Sequence, residues 1–544
     1  MKYLSENKRE DMRMKKRTAA RSMAALMGAA MVLTACGGGN TTAPTTGASS
    51  GGETQTASES TESGKITKTD IVVGQASDIV TLDPAGQQDT TSGVLMKHAY
   101  STLLDVDNEG KVVPDLAESY EMKSDTEYVF KLREDACFWD GTPVTAQDVK
   151  FSLDRAKGMP KTKSNTSKIE EVTVNGDHEV TIKLTEPYAA FKTIVTQHNL
   201  SILSEKAVTE AGDSYGDVDN LLGSGPFKVT EWVPNDHYTL VRNDNYWGEM
   251  PIATSITCRV IPEGSARTIA LEAGEIDVVW SVDPTDCANV ESNPEVKLLS
   301  QPSTGIDYVG MNTQKEKFSD KRVRQAINYA LDKQAFVDTI IEGRGLVANS
   351  YINAAIPGWT DEVGAYPYDP EKAKELLAEA GYPDGFECSI FVNGDLRTRS
   401  AQILQAQLAD VGIKVDISTY EWGALLDTLN AGEHEMFLLG WSNTSFDPDG
   451  STYQLFYSGN HGATGNRAFF SNDKVDELIL SAQRESEESK RMELYKELQF
   501  VLHEESPWCP LYYKENNVGV RADLKGFTLH AGAQHYLGNC HYEE

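Results

Sequence analysis

The chain has 544 residues, with 50 Lys+Arg against 82 Asp+Glu, a formal charge of −32 and a pI near 4.7. That acidic balance excludes a nucleic-acid binder, which needs clustered Lys/Arg against phosphate, and a polybasic membrane-surface protein. At 40% hydrophobic residues the chain can bury large cores, which excludes wholesale disorder, and its length points to more than one folding unit.

The charge is uneven. Residues 1–35 hold eight Lys/Arg and three acids, a net of +5, so the remainder carries −37. Met14-Lys15-Lys16-Arg17 precedes an apolar run, Ser22–Leu33. About a dozen apolar residues behind a cationic region is the shape of a secretory signal, and it falls short of the ~20 that a spanning helix needs. The closing Leu33-Thr34-Ala35-Cys36-Gly37 resembles the lipobox of bacterial lipoproteins, where cleavage before the Cys leaves its thiol to carry diacylglycerol. The expectation is a signal peptide over 1–35 and a lipidated Cys36 on the extracytoplasmic face of a bacterial cell membrane. Translation from Met1 or from Met14 leaves this order intact. Residues 36–65 are Gly/Ser/Thr-rich without apolar periodicity and read as a flexible tether. Gly47-Ala48-Ser49-Ser50-Gly51 matches the nucleophile-elbow pattern but has neither the preceding strand nor the following helix that the pattern requires.

In chain order, the body opens on a strand at 70–76, a polar loop and a short helix over 94–104. A strand at 127–132 leads to the Phe138–Pro143 turn, and Thr145 with Asp148 forms a capping box for a helix over 145–156. Residues 171–174 and 179–184 flank Asn175-Gly176-Asp177 as a hairpin, and strands at 227–233 and 237–242 bracket Pro234-Asn235-Asp236. A helix over 265–274 feeds a strand at 276–280. Asp320 opens a helix with Val323, Ala326, Ile327, Ala330 and Leu331 on one face. Asp369-Pro370 caps another, carrying Ala373, Leu376, Leu377 and Ala380. A helix over 398–410 runs into an alternating strand at 413–417, a last helix spans 473–503, and a closing strand region begins at 518–520. The fold class is α/β with at least two lobes.

Several segments together carry a signature: Phe138-Trp139-Asp140-Gly141-Thr142-Pro143, Gly223-Ser224-Gly225-Pro226-Phe227 with Asn245-Tyr246-Trp247-Gly248, Arg267 to Asp277, Tyr308 to Asn312 with Arg322 to Asp332, and Gly440-Trp441. In this order they resemble the extracytoplasmic solute-binding proteins of peptide/nickel ABC importers (family 5; oligopeptide-, dipeptide- and glutathione-binding relatives) over residues ~66–540. The resemblance implies a two-lobed, periplasmic-binding-protein-like fold in its large form. Lobe I would comprise 66–105, 224–310 and 514–544, with an inserted domain at 106–223, and lobe II would comprise 311–513. It further implies a monomeric receptor, with no catalytic role and no cofactor, that closes on a peptide-like solute and delivers it to a permease and its ATPases.

In that family the loop after the Gly-Trp pairs with the ligand backbone; here it begins Trp441, Ser442, Asn443, Thr444. Family peptide binders place an Asp three residues after the Trp to hold the ligand ammonium. Thr444 stands there, and a hydroxyl cannot replace that charge. Asp447, or Asp89 beside Gln88 on the first polar loop, are the alternative carboxylates; a ligand without an ammonium at this point is the other solution. Trp441 walls the cavity or belongs to the core. Tyr308 and Asn312, on a strand crossing between lobes, face ligand or core by alternation. Arg397, Arg399 and Arg467 are the guanidiniums able to clamp a carboxylate, and Arg397 is the one assigned to the site.

Two rival readings come from the same residues. His503-Glu504-Glu505 lacks the second His of a zinc-protease motif, which leaves an exported hydrolase without a site. His530, His535, Cys540 and His541 offer metal ligands near the C-terminus, but no metal site is expected, and receptors for nickel chelates, haem or a glutathione-like ligand remain open within the family. The six cysteines after Cys36 form one or two disulfides or remain buried thiols.

Overall fold

The structure, a computed structural model, describes residues 65–544. The expected signal peptide, Cys36 and the expected tether up to residue 64 lie outside the described residues.

The main sheet has 12 strands. Its central path runs Ile413–Thr419, Phe386–Val392, Met436–Ser442, Gly305–Met311, Trp508–Arg521, Val278–Val279, Asp70–Gln75, Ser255–Val260, His237–Arg242 and Phe227–Val233. Trp508–Arg521 joins the two halves of this path. Its first residues pair antiparallel with Gly305–Met311, and its last seven pair with Val296–Pro302. The sequence explains the strand types. Asp70–Gln75 (DIVVGQ) lies between parallel partners and is largely buried on both faces, so its centre, Ile71-Val72-Val73, is an unbroken apolar run. Ile413–Thr419 begins by alternating buried and exposed residues because one face is open to solvent.

A separate sheet, in the order Ala117–Ser124, Glu127–Leu132, Glu179–Leu184 and Ile169–Gly176, packs on helix Ala146–Lys157 around Phe130, Val149, Leu153 and Ile182. The Thr145–Asp148 capping box opens that helix, with Thr145 Oγ1 donating to Asp148 Oδ2 at 2.8 Å. The helical face read from Asp320 packs against Val309, Ile390 and Leu404 in a second core.

The signature motifs are architectural. A Cβ on Gly223 would sit 2.1 Å from the Ala99 carbonyl oxygen, so only glycine permits that approach. Trp139 Nε1 donates to Gly225 O (3.2 Å) and Trp247 Nε1 to Ser224 O (3.0 Å), clamping the same turn from two segments.

The structure revises several boundaries. The first helix is Thr90–Ala99 rather than 94–104, because Asp89 caps it and the Thr90-Thr91-Ser92 stretch read as loop is its first turn. The helix expected over 473–503 is two, Asp473–Arg484 and Glu488–Glu505, broken where Glu485 and Glu487 take extended backbone without any Gly or Pro to announce it. The closing strand begins at Trp508. Cys137, Cys258, Cys287, Cys388, Cys509 and Cys540 are free thiols, all but Cys137 buried.

Candidate functional site

Two cavities meet between the halves of the main sheet. One, of about 110 Å³, lies between Gln88, Asp89 and Gly93 on one side and Trp441, Thr444, Gln454 and Arg467 on the other, with Gln197 and His198 closing it from the segment between them in sequence. The other, of about 270 Å³, is lined by Gln75, Trp280, Asn393, Arg397, Lys514 and His535, among others. Thr90, Trp422, Gly440 and Ser442 line both. Together they have roughly the few hundred Å³ typical of a small-ligand site.

Strand Met436–Ser442 delivers the Gly-Trp loop, with Gly440 opposite Asp307 and Trp441 opposite Ile306. Trp441 faces the smaller cavity while its Nε1 donates to Gly450 O at 3.0 Å, so its ring also closes the loop. Ser442 lines both cavities. Asn443 is buried and holds the loop together, donating to Asp447 O and Ser451 Oγ at 2.7 Å and accepting from Ser445 N. Thr444 lines the smaller cavity and donates Oγ1–H to Gln197 Oε1 at 2.9 Å. The structure places Asp447 differently: its carboxylate is buried against the Arg491 guanidinium and accepts the Asp449 N–H, and it lines neither cavity.

The opposite wall carries Asp89 and Gln88. Asp89 Oδ1 caps its helix by accepting Ser92 N–H at 3.0 Å, while Oδ2 is buried and accepts no hydrogen bond from the described residues. Burial raises its carboxyl above the usual range, opposed by Ser92, by the Lys161 charge and by the nearby Trp422 indole, which lies outside hydrogen-bonding geometry. Gln88 Nε2 reaches across to Gln454 Oε1 (3.5 Å) and Thr464 O (3.4 Å). Burial lowers His198 to about 3, so it adds no charge at neutral pH.

The remaining candidates divide. Tyr308 stacks on Trp508 with ring centroids 3.4 Å apart and packs against Phe437, placing it in the core. Asn312 is buried outside both cavities and donates to Gly432 O and His434 O. Arg397 lines the larger cavity, with Nη1 on Asn393 Oδ1 (2.7 Å) and its guanidinium carbon 5.9 Å from the Trp422 ring centroid. Arg399 pairs with Asp283 instead. Arg467 lines the smaller cavity, with Nε donating to Asn430 Oδ1 at 3.0 Å. His530 and His535 are buried; His535 stacks on Trp280, with centroids 5.0 Å apart.

Sequence reasoning missed Trp422, Gln197, Gln454 and Trp280. Tyr420-Glu421-Trp422-Gly423 at a helix start is the one local signal available for Trp422. The other three enter the cavities through tertiary packing alone.

The family model for bacterial extracellular solute-binding proteins, family 5, matches residues 111–463. The glutathione-binding protein GsiB of Escherichia coli K12 is 32% identical over 479 residues, covering 85% of this chain and 92% of that protein. Among solved structures, the periplasmic binding protein DppA from Helicobacter pylori, in complex with the peptide STSA, aligns with a TM-score of 0.84 at 28% identity, covering 88% of this chain and 99% of DppA. The oligopeptide-binding protein AppA from Bacillus subtilis, in complex with a nonapeptide, aligns with a TM-score of 0.82 at 26% identity, covering 89% and 100%. The chain belongs to the bacterial extracellular solute-binding proteins, family 5, the substrate-binding components of ABC importers.

Proposed function

We propose that this protein is a lipid-anchored, monomeric receptor that captures a peptide-like solute between its lobes and hands it to an ABC permease. One observation carries the ligand class: the two meeting cavities hold charged groups of both signs with no ion-pair partner within 4 Å among the described residues, namely Asp89, Glu515, Arg397 and Arg467. Unpaired buried charge costs several kcal/mol, so such a site favours a solute that supplies both an ammonium and a carboxylate. Trp441, Ser442 and Thr444 supply the adjoining strand end, suited to pairing with an extended backbone. The peptides bound by DppA and AppA and the glutathione named for GsiB fall in this class.

Native mass spectrometry of the protein purified from its own host tests the reading. A co-purified peptide or peptide thiol supports it; a stoichiometric metal chelate or haem in its place overturns it. The anchor rests on Leu33–Gly37. Cys36→Ala is expected to remove the lipid mass and shift the protein from the membrane to the soluble fraction; persistence in the membrane rejects the anchor.

A further inference from the structure

Four arginines are buried among the described residues: Arg267, Arg324, Arg467 and Arg491 are 6%, 3%, 4% and 3% exposed. Arg267 donates to the carbonyls of Ile261, Pro262 and Ser281. Arg324 donates to the carbonyls of Phe318, Ser319 and Glu505. Arg491 is paired with Asp447. Arg467 differs from all three. Its Nε meets the Asn430 amide oxygen, but neither terminal nitrogen donates a hydrogen bond to the described residues and no carboxylate lies within 4 Å. A largely buried guanidinium with no carboxylate beside it is poorly compensated, and this one borders the smaller cavity, where a ligand anion can reach its terminal nitrogens.

The opposite charge in that cavity is Asp89, whose Oδ2 is buried and unpartnered. Asp89 and Arg467 are not ion-paired with each other, although the two charges act on one another. Both charges border the same cavity of about 110 Å³, a small part of the few hundred Å³ that the two joined cavities offer, which favours their reading one end of a longer ligand.

Resting on the peptide-like reading above, we infer that Asp89 and Arg467 together bind an α-amino-acid head, in which a free ammonium and a free carboxylate sit on one carbon. An α-linked peptide presents only the ammonium at its first residue, its carboxyl being consumed in the peptide bond. A peptide joined through a side-chain carboxyl, such as a γ-glutamyl peptide, presents both. The ligand then extends past Trp422 and Ser442 into the larger cavity. Thr444, in place of a carboxylate, leaves Asp89 to take the ammonium from the other wall. Arg467 is the residue that would distinguish γ- from α-linked peptides.

Isothermal titration of the protein lacking residues 1–35 with two isomers, γ-Glu-Cys-Gly and α-Glu-Cys-Gly, tests this. The γ-isomer is expected to bind at least about 100-fold more tightly. Arg467→Met should weaken γ-isomer binding about 100-fold while moving the α-isomer less than about threefold, and Arg467→Lys, which keeps the charge, should restore part of the loss. Removing the α-amino group (glutaryl-Cys-Gly) should cost wild type heavily and Asp89→Asn little, with thermal unfolding monitored to confirm that each variant is folded. Equal binding of the two isomers, or equal weakening of both by Arg467→Met, overturns the inference while leaving the peptide-like reading intact. If neither isomer nor any other peptide binds and nickel–histidine or haem does, that reading fails and the inference with it.

Discussion

Asp447 and Arg491 are buried against each other, Arg491 Nη2 donating to Asp447 Oδ1, so the carboxylate following the Gly-Trp loop is committed to the protein. A ligand ammonium could take it only by stripping the charge from a guanidinium that has few other polar contacts. Removing one partner of a buried pair typically costs about 3–5 kcal/mol. Asp447→Ala is therefore expected to lower thermal stability by several kcal/mol and to leave the ratio of affinities for amino-free and N-acetylated peptides unchanged. A selective loss of amino-free ligands, measured by titration calorimetry, would return Asp447 to the site.

Thr444 has the complementary status: it faces the cavity but carries no charge, its hydroxyl donating to Gln197. Thr444→Asp would place a carboxylate where peptide-binding relatives of this family are expected to carry one. Because a carboxylate only accepts, Gln197 must turn its amide nitrogen toward it, which an amide can do at small cost. Affinity for α-linked dipeptides with free amino termini should rise about tenfold, roughly 1.4 kcal/mol. N-acetylated dipeptides should gain nothing. A variant that gains for neither shows that the ligand amino end does not approach this loop.

The fold was legible where chemistry is local. Asp148 three residues after Thr145, Asp369 before Pro370 and the apolar face from Val323 to Leu331 each fix an element through near neighbours, and each occurs where expected. The break at Glu485–Glu487 left no such mark, since acidic residues without Gly or Pro are compatible with helix. The site was less legible for a related reason. That Arg467 faces a cavity while Arg399 does not depends on partners more than 30 residues away, and strand alternation could not tell that Tyr308 points at Trp508. Thr444 was readable because a missing charge at a spaced position is itself a sequence signal.

Arg399 on helix Gly394–Ala409 meets Asp283, the N-cap of Pro284–Ser292, at 2.8 Å, linking the two sides of the cleft near the larger cavity. The guanidinium and Thr285 hold the Asp283 carboxyl below its usual range against the opposing effect of burial. If the pair forms on closure, Asp283→Asn should weaken every ligand by the same factor, about two- to fivefold for a partly exposed ion pair. Comparing Kd across two chemically different ligands separates this from a contact with one of them. Unequal losses would show that Asp283 touches ligand.

Asp449 offers a test by pH. Its Oδ2 accepts Tyr188 Oη–H at 2.5 Å and its Oδ1 accepts from Gln483 Nε2 at 2.9 Å, with Tyr495, Asp447 and Arg491 completing the surroundings. Burial first, and then the Asp447 charge, raises its carboxyl to about 6. A group raised on folding contributes stability that is full below its unfolded value near 4 and is lost as pH climbs through about 6. Above that point the ionised carboxylate costs up to roughly 3 kcal/mol relative to an unperturbed one. Asn keeps an acceptor oxygen for one of the two donors and cannot ionise. The stability of Asp449→Asn relative to wild type should therefore improve as pH rises from 4 to 7, most steeply near about 5, between the unfolded and folded values, and level off above about 6, in denaturant unfolding at fixed temperature. A difference that stays flat over that range would show that Asp449 titrates as an ordinary carboxylate and that Tyr188 and Gln483 offset its burial in full.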